Sequence, residues 1–288
     1  RLVQLAQQEL GLVPAPYCWV AFGSQARLEQ HAGSDQDNGL IFLGEPQHQA
    51  YFVEFAKFIC KGLNECGFRY CPGDVMAQKP HWCQPLEVWI QYFQHWIKTP
   101  DSKAVMHSSI FFDIRAIAGD PFICQQLKSK VIGEAQGSGI FLAMMAGNAL
   151  KNKAPIGFFN QFMVAKGGYH HKQLDLKHQG LTLITDLARI YALANGIETT
   201  QTPARIRACQ EIGVLTEGDS LNLLDAFEFI AQLRFQQQLE NLQTHTPVSN
   251  YIAPKQLNSL QRNHLKAVFR ILDRAQQSMG LKYTRGII

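Results

Sequence analysis

Apolar residues recur at helical spacing over residues 1–10, and Gly11 with Pro14 and Pro16 ends that pattern. Two runs rich in aromatic, β-branched and other apolar residues follow, Tyr17–Phe22 and residues 38–43, and each predicts a strand. Over residues 49–66, Tyr51, Phe52, Phe55, Phe58, Ile59 and Leu63 mark one face of a helix. A turn-rich stretch, 71–79, leads to a second helix over 85–97, whose apolar face holds Trp89, Phe93 and Trp96. Tryptophans at that spacing read as core rather than as a base-stacking platform. Residues 108–117 predict a buried strand carrying Asp113 and Arg115. Beyond Pro121 the period is helical almost throughout, over 122–132, 139–150, 181–194, 217–239 and 256–279. In the last of these Leu257, Leu260, Leu265, Val268, Leu272, Ala275 and Met279 form one stripe. The order predicts an α+β fold: a small mixed sheet with packed helices in residues 1–135, then an all-helical domain in 136–288.

Composition agrees with two folded domains, since the chain has 288 residues, 46% apolar and 17% charged. The net charge of +4 is mild, and no concentrated basic stripe marks a nucleic-acid surface. Lys151, Lys153 and the stretch from Lys166 to Lys177 are locally basic, which reads as a solvated face or as steering of triphosphate. Seven cysteines form an odd set without a disulfide rhythm. The densest group, Cys60, Cys66, Cys71 and Cys83, lacks zinc spacing, so the expectation is free thiols in a reducing cytoplasm. No run reaches the roughly 20 apolar residues of a membrane span, and no signal-peptide pattern is present. The chain starts at Arg1 inside a helical pattern, so the expectation is a fragment of a longer protein whose missing part lies on the N-terminal side.

The chemistry concentrates in Gly23-Ser24 and in Ser34-Asp35-Gln36-Asp37-Asn38. Successive side chains of a strand point to opposite faces, so Asp35 and Asp37 project the same way. Paired carboxylates suit Mg²⁺, which takes one or two of them together with phosphate oxygens, with Mn²⁺ as the alternative. An Asp-x-Asp is also common in solvated turns and helix caps. What lifts this one is the upstream segment. Gly23 lets backbone approach a ligand, Ser24 adds a hydroxyl, and residues 25–30 resemble the first turns of a helix whose free N–H groups favour phosphate. Arg27 is placed to contact phosphate or to pair with Glu29 or Asp35. Asp113 follows three apolar residues, a costly place for a carboxylate unless metal or hydrogen bonds compensate it, or unless a sheet edge exposes it.

Gly23-Ser-x-x-Arg27-x-Glu29, followed by Ser34-Asp35-x-Asp37-Asn38, resembles the DNA-polymerase-β-like nucleotidyltransferase superfamily. Within it the chain is most similar to signal-transduction nucleotidyltransferases that often follow CBS or cyclic-nucleotide-binding domains in bacteria. These resemble the branch of the PII-protein uridylyltransferase. Three further segments carry the resemblance: Cys71 to Ala77, Ser109 to Arg115, and Leu174 to Leu181 with Asp186 to Arg189. Gln179 and Thr182 depart from the uridylyltransferase pattern at a glycine and an arginine, so that arginine's role does not carry over. The resemblance implies transfer of a nucleoside monophosphate from ATP or UTP to a hydroxyl, on a protein acceptor that is unknown. It implies that Asp35, Asp37 and Asp113 hold metal and that Gly23, Ser24, Arg27 and Lys177 bind nucleotide. A surface role for Lys177 stays open beside that. A nucleotide sensor without turnover is the alternative activity.

Overall fold

The computed structural model describes residues 1–165 and 167–284, so Lys166 of the basic stretch lies outside the described residues. Two compact units divide the chain, Arg1–Phe141 and Leu142–Ile288. The division falls beyond residue 135 because helix α6 (Pro121–Gln136) packs against strand β6 (Ile114–Gly119) and helix α4 (Leu86–Lys98) of the first unit.

The first unit is built on a four-stranded mixed sheet. Strand β1 (Tyr17–Phe22) pairs antiparallel with β3 (Asn38–Phe42) on one side and with β6 on the other, while β5 (Cys83–Pro85) runs parallel to β3. All six residues of β1 are buried, as expected of a strand covered on both faces. A second ladder joins β2 (Asp35–Gln36) in parallel with β4 (Arg69–Tyr70). Helices α1 (Leu2–Leu10), α2 (Gly23–Ala26), α3 (Gln49–Glu65), α4 and α5 (Ser102–Phe111) complete the unit.

Helix α3 buries Phe52, Phe55, Ala56, Ile59 and Cys60, a stripe that follows the 3.6-residue period. Phe52 stacks on Phe42 and Tyr17 meets Phe55 edge to face, which fastens α3 to the sheet. Each phenylalanine removed from water contributes about 1.5–3 kcal/mol, and Phe52→Ala would cost about 3–5 kcal/mol. The opposite face of β1 carries Phe22, which packs on Trp89 of α4 and Phe111 of α5.

The strand expected over 108–117 is corrected. Its first part is the end of α5, and the strand starts only at Ile114. Asp101 caps α5 by accepting from the Ala104 N–H at 2.7 Å, and Ala104, Val105, Ser108 and Phe111 form its buried face. A short apolar run does not distinguish strand from buried helix by periodicity, and here the cap decides. Asp113 thereby lies at the helix–strand junction.

The second unit is mainly helical, with most of α7 (Gly139–Ala149), then α8 (Thr182–Ala194), α9 (Thr202–Glu211), α10 (Glu217–Gln243) and α11 (Ser259–Tyr283). It is not wholly helical: β7 (Leu174–Asp175) pairs antiparallel with β8 (Tyr251–Ile252). Helix α9 was not visible in the periodicity, because this mostly polar segment buries only Thr202, Arg205, Ile206 and Cys209. Leu260 leaves the expected apolar stripe of α11 and is 77% exposed. It sits in the first turn, between the capping-box residues Asn258 and Gln261. Among the described residues no helix is long and apolar enough to cross a membrane.

Candidate active site

The end of β1 is bracketed by the two segments that carry the predicted carboxylates. The Phe22 N–H donates to the Asp37 carbonyl at 2.9 Å, and the Gly23 N–H donates to the Asp113 carbonyl at 3.0 Å. Gly23 has a φ of +55°, left-handed backbone that a residue with a side chain adopts only with strain. A Cβ there would lie 3.7 Å from Asp37 Oδ2, an ordinary contact, so conformation rather than space requires the glycine. The Gly23 N–H, expected to face phosphate, is taken by Asp113. The helix expected over 25–30 is a single turn, Gly23–Ala26. Leu28, at a φ of +61°, ends it and turns the chain so that the Glu29 N–H reaches the Ser24 carbonyl.

On the β3 side, the strand alternation places Asp35 and Asp37 toward solvent and buries Gln36 and Asn38. Asp35, Asp37 and Cys71 each offer a ligand atom, and these atoms lie within 4.8 Å of one another. No spacing rule pointed to Cys71. It arrives from the turn that follows β4, and only that turn's path brings its thiol to Asp37. Burial, and then the hydrogen bond to Asp37, push the Cys71 thiol up to about 12. The thiol is therefore protonated beside the carboxylates. The two hard carboxylates fit Mg²⁺ or Mn²⁺, with phosphate and water supplying further oxygens.

On the β6 side, Asp113 is fully buried and accepts from Arg27 Nη1 at 2.5 Å. Arg27 Nε also donates to Glu29 Oε2 at 2.7 Å, so the arginine pairs with Glu29 and Asp113, and no pair with Asp35 is present among the described residues. A guanidinium, with donors in a fixed fork, suits this two-carboxylate arrangement. Two residues on, Arg115 donates to the carbonyls of Ala26 at 3.0 Å and Gln25 at 2.7 Å. It satisfies the carbonyl end of α2, where a cation is favoured. Asp113 and Arg115 together clamp the Gly23–Arg27 turn, while Ile114 between them enters the core. The sequence motif held both residues, but the clamp depends on contacts with residues 86 to 90 positions away.

Lys177 belongs to the second unit, where it is exposed at the start of a π-helical turn, Lys177–Leu181. Asp175 closes this turn by accepting from the N–H groups of Lys177 and His178, both at 3.0 Å, and from His178 Nδ1 at 2.8 Å. Burial alone would raise the Asp175 pKa, but the hydrogen bonds and charge of His178 bring it below the ordinary carboxylate value.

Residues 1–103 match the family model described as "Putative nucleotidyltransferase DUF294". Residues 139–283 match the model described as "Putative nucleotidyltransferase substrate binding domain". No curated protein matches the chain. Asp35 and Asp37 lie within the first match, and Asp113 falls between the two. With a model matching over each unit, the chain belongs to the putative nucleotidyltransferase family DUF294.

Proposed function

We propose that the chain transfers a nucleoside monophosphate from ATP or UTP to a hydroxyl of a protein acceptor, in a Mg²⁺-dependent reaction. The observation that carries this reading is the pair Asp35 and Asp37 on one face beside the Gly23-Ser24 turn, in a chain of the nucleotidyltransferase family. Asp35 and Asp37 would hold Mg²⁺, and Asp113 would be the third carboxylate of the site. When bound, the cation supplies charge neutralisation at the triphosphate. Ser24 donates its hydroxyl to phosphate. Arg27 orients Asp113 through their ion pair. The acceptor oxygen attacks the α-phosphorus, the α–β bridging bond breaks, and pyrophosphate leaves. The hydroxyl proton passes to the Asp113 carboxylate or to solvent. Little covalent chemistry falls to the protein in such a transfer, so positioning and electrostatics carry the rate.

A second reading, a nucleotide sensor without turnover, draws on the Arg27–Asp113 pair, because a carboxylate engaged by a guanidinium is a weak base. From the resemblance we infer that either activity serves bacterial cytoplasmic signalling under the control of regulatory domains. The test is incubation with α-labelled ATP or UTP and cell extract, with and without Mg²⁺. The transferase reading expects a labelled protein and released pyrophosphate, both absent for Asp35→Ala/Asp37→Ala. Nucleotide binding without pyrophosphate release in any extract supports the sensor. Failure of the wild type to bind either nucleotide with any metal ends both.

A further inference from the structure

Behind the two aspartates lies a pair of buried amides. Gln36 and Asn38 are each 1% exposed, and they alternate along the chain with Asp35 and Asp37. Gln36 Nε2 donates to the carbonyls of Cys60 and Phe68, both at 3.0 Å, and its Oε1 accepts from Asn38 Nδ2 at 3.1 Å. Asn38 Oδ1 accepts from the Ala77 N–H at 2.8 Å and from the Cys60 thiol at 3.5 Å. The Asn38 N–H donates to the Val75 carbonyl at 3.0 Å. Two side chains thus tie the strand to α3, to the residue before β4, and to the turn at 75–77.

A buried amide pair costs more than an apolar pair unless its donors and acceptors are satisfied, and a satisfied pair admits one arrangement. Because side chains alternate across the strand, fixing Gln36 and Asn38 on the inner face fixes Asp35 and Asp37 on the outer one. Two like charges side by side repel and would otherwise turn apart. We propose that Gln36 and Asn38 are positioning residues that hold the Asp35 and Asp37 carboxylates at metal-binding separation before the cation arrives. This rests on the reading of Asp35 and Asp37 as metal ligands.

The test is Mn²⁺ binding by the full chain, followed by loss of the free-ion electron paramagnetic resonance signal. Wild type, Gln36→Met, Asn38→Asp and Asp37→Asn are compared, each with its thermal unfolding curve. Gln36→Met is expected to weaken Mn²⁺ binding about tenfold while the protein stays folded at the assay temperature, and Asp37→Asn to abolish it. A lowered midpoint with unchanged Mn²⁺ affinity, alongside a dead Asp37→Asn, overturns the positioning role and leaves the metal site standing. No Mn²⁺ uptake by the wild type overturns both. Should Gln36→Met not fold, Asn38→Asp decides by the same measure. It keeps the shape and the acceptor for Ala77, removes the donor to Gln36, and is expected to weaken binding in the same direction by less.

Discussion

Asp35 and Asp37 in the first unit and Asp175 in the second both stand beside short helical turns, and both belong to segments with the look of motifs. Asp175 is turned inward. Its oxygens accept two backbone N–H groups and an imidazole from the residues that follow it, and the Tyr251 hydroxyl from β8 as well. Asp35 and Asp37 keep their oxygens on an outer face beside Cys71, while the residues between and after them make the inward hydrogen bonds. The first arrangement completes a turn. The second leaves ligand atoms gathered together. A carboxylate in a motif-like segment is therefore a stronger site candidate where ligand atoms of several side chains gather than where it closes its own turn.

The sharpest way to break this comparison is substitution on its two sides. Asp37→Asn is expected to lower pyrophosphate release about a thousandfold, equivalent to roughly 4 kcal/mol of transition-state stabilisation, while Asp175→Asn stays within about twofold. Equal losses would erase the distinction. Next in size is Arg27→Met, which removes the guanidinium from a fully buried carboxylate and should cost about 3 kcal/mol in denaturant unfolding. Part of that loss should return in Arg27→Met/Asp113→Leu, since the burial cost of the charge goes with it. No recovery would mean that Arg27 acts mainly through Glu29.

Asp175→Asn sharpens the other side, with an expected stability loss of about 2 kcal/mol at neutral pH from its charge-assisted hydrogen bonds. The folded pKa of Asp175 lies below the ordinary carboxylate value of 3.8, so the carboxylate's contribution is full above 3.8. It is lost as the pH falls through the folded value. Denaturant titrations at pH 7 and near pH 3 should show the gap between wild type and variant closing. The smallest effect is expected at Lys177→Ala, within about 0.5 kcal/mol in stability because the side chain is exposed. A rise in nucleotide KM without a change in melting temperature would assign Lys177 to the triphosphate.

Much of the fold was legible because its signals are local. The phenylalanines of α3 and the tryptophans of α4 repeat at 3.6 residues, and β1 is an unbroken apolar run between a proline and a glycine. The end of α5 was misread because Ser108 to Phe112 suits either a strand or a buried helix, and the Asp101 cap lies upstream of the run. The β7–β8 ladder was hidden because two-residue strands far apart in sequence leave no periodicity. Cys71 was missed for a similar reason, since a thiol brought in by a turn has no fixed spacing from Asp35 and Asp37.

The sequence by itself determined that Asp35 and Asp37 share a face, that Gly23 ends a buried strand, and that nucleotidyltransferase motifs are present. These follow from the two-residue period of a strand and from residue chemistry at short range. The tertiary structure alone decided that Arg27 holds Asp113, that Arg115 clamps the Gly23–Arg27 turn, and that Gln36 and Asn38 brace the aspartates from behind. Each of these is a hydrogen bond or ion pair between side chain and distant backbone or side chain. Such contacts depend on how strands register and turns close, and packing of the whole unit sets both.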